Sequence, residues 1–138
     1  MSEPVPVPKS RILLVEDDQF LSVLLKNRLL KEGYDVITAQ DGPSALDQLR
    51  KERFNLVLLD LILPGQSGFE VMEEIRQEPK WSVEGAPIIV ISNLGQESDI
   101  ERSRELGASD YFVKARTSID ELVQKAGKVI HSAPVKKP

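Results

Sequence analysis

A chain of 138 residues, 41% hydrophobic and 29% charged, has the length and composition of one globular domain and leaves no room for a second of ordinary size. Its longest apolar runs, such as Leu56 to Leu59 and Ile88 to Ile91, fall far short of the roughly 20 residues of a spanning helix, so no membrane association is expected. The absence of cysteine excludes disulfides, thiol nucleophiles and thiolate metal sites, and a formal net charge of −4 supplies no field for nucleic-acid phosphates, so no direct nucleic-acid binding is expected.

The chain opens with MSEPVPVPKS, which has neither the apolar core of a secretory signal nor the arginines of a transit peptide, and a cytoplasmic location is expected. Residues 1–9 are proline-rich and carry no apolar period; they read as a flexible tail, as do residues 132–138, which serve equally as a linker. Between them, residues 10–131 form the domain.

Within it, short β-branched or apolar runs alternate with segments of helical period. Strands are expected at Arg11 to Val15, Asp35 to Ala39, Asn55 to Leu59, Pro87 to Ile91 and Tyr111 to Val113. The first helix, 19–31, carries Leu21, Leu24, Leu25 and Leu29, and the second, 43–52, begins with Pro43 at a favoured first-turn position. The third, 67–77, has Ser67 and Glu70 at capping-box spacing, turns Phe69, Met72 and Ile75 inward, and is stopped by Pro79. The fourth, about 96–106, offers only Ile100 and Leu106 as large apolar anchors before Gly107 and is expected to be the most weakly held. The last, 117–131, pairs Ser118 with Glu121 as a capping box and aligns Ile119, Leu122, Val123, Ala126 and Ile130. Five βα units are too few for a barrel and predict an α/β fold: a flavodoxin-like, doubly wound five-stranded parallel sheet of order 2-1-3-4-5 with five helices. In such a sheet the crevice opens beyond the carboxyl ends of strands 1 and 3.

Strand 1 runs into Glu16, Asp17 and Asp18, and strand 3 into Asp60, so carboxylates from distant positions converge on that crevice. Clustered like charges need a counter-ion, and oxygen ligands suit a hard divalent cation such as Mg²⁺. Each acid alone has a plainer reading, since Asp17 or Asp18 would serve as the cap of the following helix. Strands 4 and 5 add Ser92 and Lys114 to the same rim. An oxygen nucleophile, a hydroxyl, an ammonium and a metal are what phosphoryl transfer uses, because the transition state spreads negative charge over the equatorial oxygens. Asp60 would be the nucleophile and Asp17 a metal ligand, with Ser92 and Lys114 bonding the phosphoryl oxygens.

The stretches ILLVEDD, LVLLDLILPGQSGFE, PIIVISN and GASDYFVK, in this order, resemble the receiver domain of two-component response regulators. The resemblance implies a phosphoacceptor at Asp60, an acid pair at Glu16 and Asp17, a hydroxyl at Ser92, a lysine at Lys114 and a switch aromatic at Tyr111. It further implies Mg²⁺ held by Asp17, Asp60 and the backbone carbonyl of Ile62, with Glu16 acting through water. The phosphodonor would be a sensor histidine kinase or a histidine phosphotransfer protein. The domain would then be no enzyme in the ordinary sense, catalysing only its own phosphoryl transfer and hydrolysis. Its output would go to a downstream protein across the 96–131 face, and a phosphorylation-dependent homodimer is left open.

Several positions depart from the family pattern. Ala115 stands where the family commonly has a cis proline, and a cis bond without proline costs about 2.5–4 kcal/mol, which leaves the aim of Lys114 open. Asn93 replaces a small residue after Ser92. Ile62 and Leu94, at positions that modulate phosphoryl lifetime in the family, are apolar and unable to orient a water, which predicts slow autodephosphorylation. A haloacid-dehalogenase-type phosphatase, the nearest enzyme alternative, would need a second acid where Ile62 stands. Trp81 reads as a plug at the edge of the core. His131, the one histidine, has no acid or nucleophile near it in sequence. Gly65 and Gly68 fit no nucleotide-loop spacing and read as turn and helix-entry residues.

Overall fold

A computed structural model of the chain describes residues 9–78 and 85–132. Most of the two terminal tails, Pro79 and Trp81 lie outside the described residues. Five parallel strands, β1 (Arg11–Val15), β2 (Asp35–Ala39), β3 (Leu56–Leu59), β4 (Ile88–Ser92) and β5 (Asp110–Val113), form one sheet in the order β2-β1-β3-β4-β5. They alternate with helices α1 (Gln19–Lys31), α2 (Gly42–Lys51), α3 (Gly68–Gln77), α4 (Glu97–Glu105) and α5 (Ile119–Ser132), and a short 3-10 turn at Lys114–Arg116 leads into the last. Sheet order, strand count and helix count are those expected, with element ends displaced by one or two residues. None of the described helices is long and apolar enough to cross a membrane.

The apolar runs of β1, β3 and β4 are continuous because helices cover both faces, and within each run the pleat still sorts side chains by twos. Leu13, Val15, Val57, Leu59 and Val90 pack with Ala45 and Leu46 of α2 and with Phe69, Met72 and Ile75 of α3. Ile12, Leu14, Leu56, Leu58, Ile89 and Ile91 face the other way, against Leu25 and Leu29 of α1 and Leu122, Val123 and Ala126 of α5.

The helix ends are fixed locally. Ser118 Oγ accepts the Glu121 N–H at 3.1 Å while Glu121 Oε1 accepts the Ser118 N–H at 3.4 Å, a reciprocal capping box. At α3 only the forward half forms, Glu70 N–H to Ser67 Oγ at 3.2 Å. α4 ends on Gly107, whose φ of +101° lets its N–H reach the Arg104 carbonyl while Ala108 N–H reaches that of Ser103. Its other end has no side-chain cap, since the side chain of Gln96 at that position bonds no helix N–H. Ser103 is the one residue of α4 that is fully buried, so this helix is the least anchored of the five, as its sequence indicates.

Leu24 is 40% exposed and belongs with Phe20, Val23 and Leu30 on an outward apolar stripe, while Ser22, Leu25 and Leu29 face the core. α1 is apolar on two sides, so periodicity alone could not choose the buried one.

Candidate functional site

Strand register assembles the site. Val15 pairs with Leu59, so the next residues, Glu16 and Asp60, leave the sheet side by side; Ser92 pairs with Val113, which brings Lys114 to the same rim. The backbone continues the ladder beyond the strands, with Glu16 N–H on the Ala39 carbonyl at 2.9 Å and Asp60 N–H on that of Val15 at 3.0 Å. Two buried carboxylates are thereby held on backbone that cannot easily yield.

The three consecutive acids after β1 divide their roles. Asp18 is the N-cap of α1, its Oδ1 accepting the N–H groups of Phe20 at 3.0 Å and Leu21 at 3.2 Å. Asp17 is exposed, and Glu16 is buried with its Oε2 accepting the Asp18 N–H at 3.2 Å. Glu16, Asp17 and Asp60 each present a carboxylate oxygen within 4.8 Å of the others. Asp60 Oδ1 accepts the Ile62 N–H at 3.1 Å, and its Oδ2 stands 2.8 Å from Lys114 Nζ.

Lys114 Nζ also lies 2.7 Å from Glu16 Oε1, yet that oxygen receives no aligned hydrogen bond and is buried. Burial pushes the Glu16 carboxyl from 4.5 up to about 7; the Lys114 contact opposes this and the Asp60 charge adds to it. At Lys114, burial disfavours the ammonium, but its bonds to Asp60 and Glu16 and their charges outweigh burial and hold its pKa above the ordinary value. One ammonium thus contacts two of three clustered carboxylates, its contact with Glu16 Oε1 being an ion pair without an aligned hydrogen bond. An all-oxygen donor set with that deficit suits a hard divalent cation.

The Lys114–Ala115 peptide is trans, as are all described peptides. The departure from proline that left the aim of this lysine open does not turn it away, because the 3-10 turn starting at Lys114 sets its side chain over the acids. Asn93 is exposed.

Ser92 is fully buried, and its Oγ accepts the Leu94 N–H at 3.2 Å. The Tyr111 hydroxyl donates to the Leu94 carbonyl, so Ser92 and Tyr111 hold the two backbone groups of one residue. Tyr111 packs partly buried against the core, and burial, then the charge of Asp99, raises its pKa. Leu94 turns its own side chain into that core, whereas Ile62 is 55% exposed. His131 is exposed at the end of α5.

Two features of the rim were not read from sequence. A Cβ on Gly68 would fall 2.3 Å from the Asp60 carbonyl oxygen and 2.8 Å from Leu61 Cα, so helix entry here requires glycine for close approach; Gly65, at φ +75°, makes the preceding turn. The role of Leu94 as the shared anchor of Ser92 and Tyr111 depends on its backbone, which leaves no mark on residue type.

A doubly wound sheet of this order with an acidic cluster and a lysine at its switch point defines the CheY-like class of α/β domains. A family model of the response regulator receiver domain matches residues 12–126, and the chain belongs to that family, the receivers of two-component systems. The "Probable transcriptional regulator ycf27" of Porphyridium aerugineum is 42% identical over 106 residues, 77% of this chain and 42% of that protein. Its namesake from Galdieria sulphuraria is also 42% identical over 106 residues, 77% of this chain and 40% of the relative. The chain spans about two fifths of the length of these curated relatives. Among solved structures, the response regulator TrrA of Thermotoga maritima in complex with Mg²⁺–BeF is similar at 37% identity and a TM-score of 0.74, covering 87% of this chain and 98% of that one. The non-phosphorylated receiver domain of HemR from Leptospira biflexa is 33% identical with a TM-score of 0.80, covering 94% of this chain and 98% of its own.

Proposed function

We propose that Asp60 accepts a phosphoryl group from the phosphohistidine of a sensor histidine kinase or histidine phosphotransfer protein, and that the resulting aspartyl phosphate switches contacts with a downstream protein. The observation that carries this reading is the buried Asp60 carboxylate, with Lys114 Nζ 2.8 Å from one oxygen and two further carboxylates grouped within 4.8 Å. Asp17, Asp60, the Ile62 carbonyl and, through water, Glu16 would hold Mg²⁺, and the grouping of three carboxylates against a single lysine supports a cation there. When bound, the ion would neutralise carboxylates and phosphoryl oxygens that otherwise repel.

An Asp60 oxygen attacks phosphorus in line as the P–N bond of the donor breaks, and the imidazole leaves with the bonding pair. Lys114 balances the charge gathering on the phosphoryl oxygens. Ser92, at the carboxyl end of β4, would turn its hydroxyl to donate to a phosphoryl oxygen and give up the Leu94 N–H that it accepts. That would release one of the two grips on Leu94, and Tyr111, holding the other, would pass the change to β5 and α4. The outward surface of α4, β5 and α5, spanning residues 96–131, is the output face in this reading.

The donor side has its own support. Phe20 is 79% exposed three residues after Asp17, and Ile62 is 55% exposed two residues after Asp60, so apolar surface lies next to the acids that a donor protein must approach. Mass spectrometry after incubation with acetyl phosphate and Mg²⁺ tests the acceptor. One added phosphoryl group in the wild type and none in Asp60→Asn is expected; an unmodified wild type would end this reading.

A further inference from the structure

The seam between α3 and α4 takes no part in the acceptor chemistry, yet it supplies much of what holds α4 in place. Arg102 of α4 lies with Cζ 4.3 Å from the centre of the Phe69 ring and Nη2 3.4 Å from Glu73 Oε1. Farther along, Arg76 of α3 donates to the Glu105 carbonyl at the C-terminal end of α4. Little else grips this helix: its buried residue Ser103 bonds the Ile100 carbonyl of the same helix, Ile100 is half-buried, and the Gln96 side chain makes no cap.

Phe69 is no ordinary platform. It is 6% exposed and follows Gly68, which is pressed against the Asp60 carbonyl and donates its N–H to Leu61 O at 2.9 Å. Backbone this close cannot absorb a shift at the end of β3, so such a shift is transmitted to the Phe69 ring, and the guanidinium stacked on that ring moves with it.

We propose that Arg102 is a latch that holds α4 against α3 and couples α4 to the acceptor end of β3 through Gly68 and Phe69, by a route separate from Ser92 and Tyr111. The latch stands on contacts in the protein as it is; the coupling rests on the reading of Asp60 as phosphoacceptor. Arg102 is a positioning residue in this scheme and touches no reacting atom.

Amide hydrogen exchange on the full chain, with and without Mg²⁺ and beryllofluoride, tests both halves. Arg102 is 54% exposed, so Arg102→Ala is expected to fold. Without ligand it should speed exchange across residues 97–105 by about fivefold, the equivalent of losing an exposed cation–π contact, and leave β3 and α5 unchanged. Phe69→Leu, which keeps an apolar core residue but removes the ring, should do the same to α4. Arg102→Lys should fall between, keeping a charge for Glu73 but no planar stack. On adding Mg²⁺ and beryllofluoride, residues 60–62 and 92–94 should respond equally in wild type and Arg102→Ala, while the response of α4 should at least halve in the variant. Unchanged α4 exchange in ligand-free Arg102→Ala would overturn the latch, and a full-sized α4 response in the liganded variant would overturn the coupling. If residues 60–62 of the wild type ignore the ligand, the acceptor reading is what fails, and the ligand-free comparison still decides the latch.

Discussion

Lys114 Nζ stands 2.8 Å from Asp60 Oδ2 and 2.7 Å from Glu16 Oε1 across a trans Lys114–Ala115 peptide, so the lysine reaches its acids without a proline after it. Removing it takes away the protein's own cation in a cluster of three carboxylates. For Lys114→Met we expect phosphorylation by acetyl phosphate to slow by about 100-fold or more, the usual effect of deleting one preorganised group that meets charge developing in a transition state. The rate constant at saturating Mg²⁺, read by phosphoprotein mass spectrometry, is the measure. A rate within about threefold of wild type would remove Lys114 from the chemistry.

The two glycines around the acceptor loop separate space from backbone conformation. At Gly68 the obstacle is steric: the nearest atoms to an added Cβ are backbone, of Asp60 and Leu61, and neither can swing aside. Gly68→Ala should cost roughly 2–3 kcal/mol in urea denaturation, at the upper end of overpacking effects, and should also slow phosphorylation, since the displaced atoms belong to the acceptor. At Gly65 nothing lies within 4 Å of an added Cβ, and the obstacle is the φ of +75°. Gly65→Ala should therefore cost only about 1–2 kcal/mol, the ordinary penalty of left-handed backbone. Equal losses at the two positions would show that crowding against Asp60 is not what selects glycine at Gly68.

Much of this was legible in the residues. Strand runs, caps and the stop at Gly107 depend on local chemistry, and the capping box at Ser118 and Glu121 formed with both bonds. The convergence of Glu16, Asp17, Asp60 and Lys114 followed from one topological rule, because in a parallel sheet every strand delivers its carboxyl end to the same rim. What sequence could not supply depends on distance or on backbone. Asp17 and Asp18 are chemically equal, and only the helix geometry made Asp18 the cap and left Asp17 for the cluster. The outward turn of Leu24 was hidden because α1 carries leucines all round. Gly68 gave no sign that its missing side chain is space used by Asp60.

Tyr111 and Ser92 both end on Leu94, one at its carbonyl and one at its N–H, which makes the role of the phenol separable from acceptor chemistry. Tyr111→Phe retains the ring against the core and deletes the bond to the Leu94 carbonyl. Phosphorylation by acetyl phosphate should stay within about twofold of wild type, because the hydroxyl meets no charge of the transition state. Exchange of amides at residues 94–97 should rise by about fivefold, the equivalent of one ordinary hydrogen bond. A tenfold fall in phosphorylation rate would place the hydroxyl in the acceptor site instead.

In the proposed function, the lifetime of an aspartyl phosphate at Asp60 would depend on what can present a water to it. Ile62 is exposed two residues beyond Asp60, and Leu94 turns inward to the core, so neither places a hydrogen-bonding side chain beside the acceptor. Asn93 is exposed rather than aimed into the site by any described hydrogen bond. Neither Ile62 nor Leu94 would orient a water for hydrolysis, and slow autodephosphorylation is expected. Ile62→Asn places an amide where the isoleucine stands and should shorten the phosphoryl half-life roughly tenfold by holding the water closer to line. Ile62→Val, an apolar control of nearly the same shape, should leave it unchanged. The decay of phosphorylated protein at neutral pH, followed by mass spectrometry after removal of the phosphodonor, gives the half-lives. A wild-type half-life of a few seconds, or an asparagine variant no faster than wild type, would count against control of lifetime by Ile62.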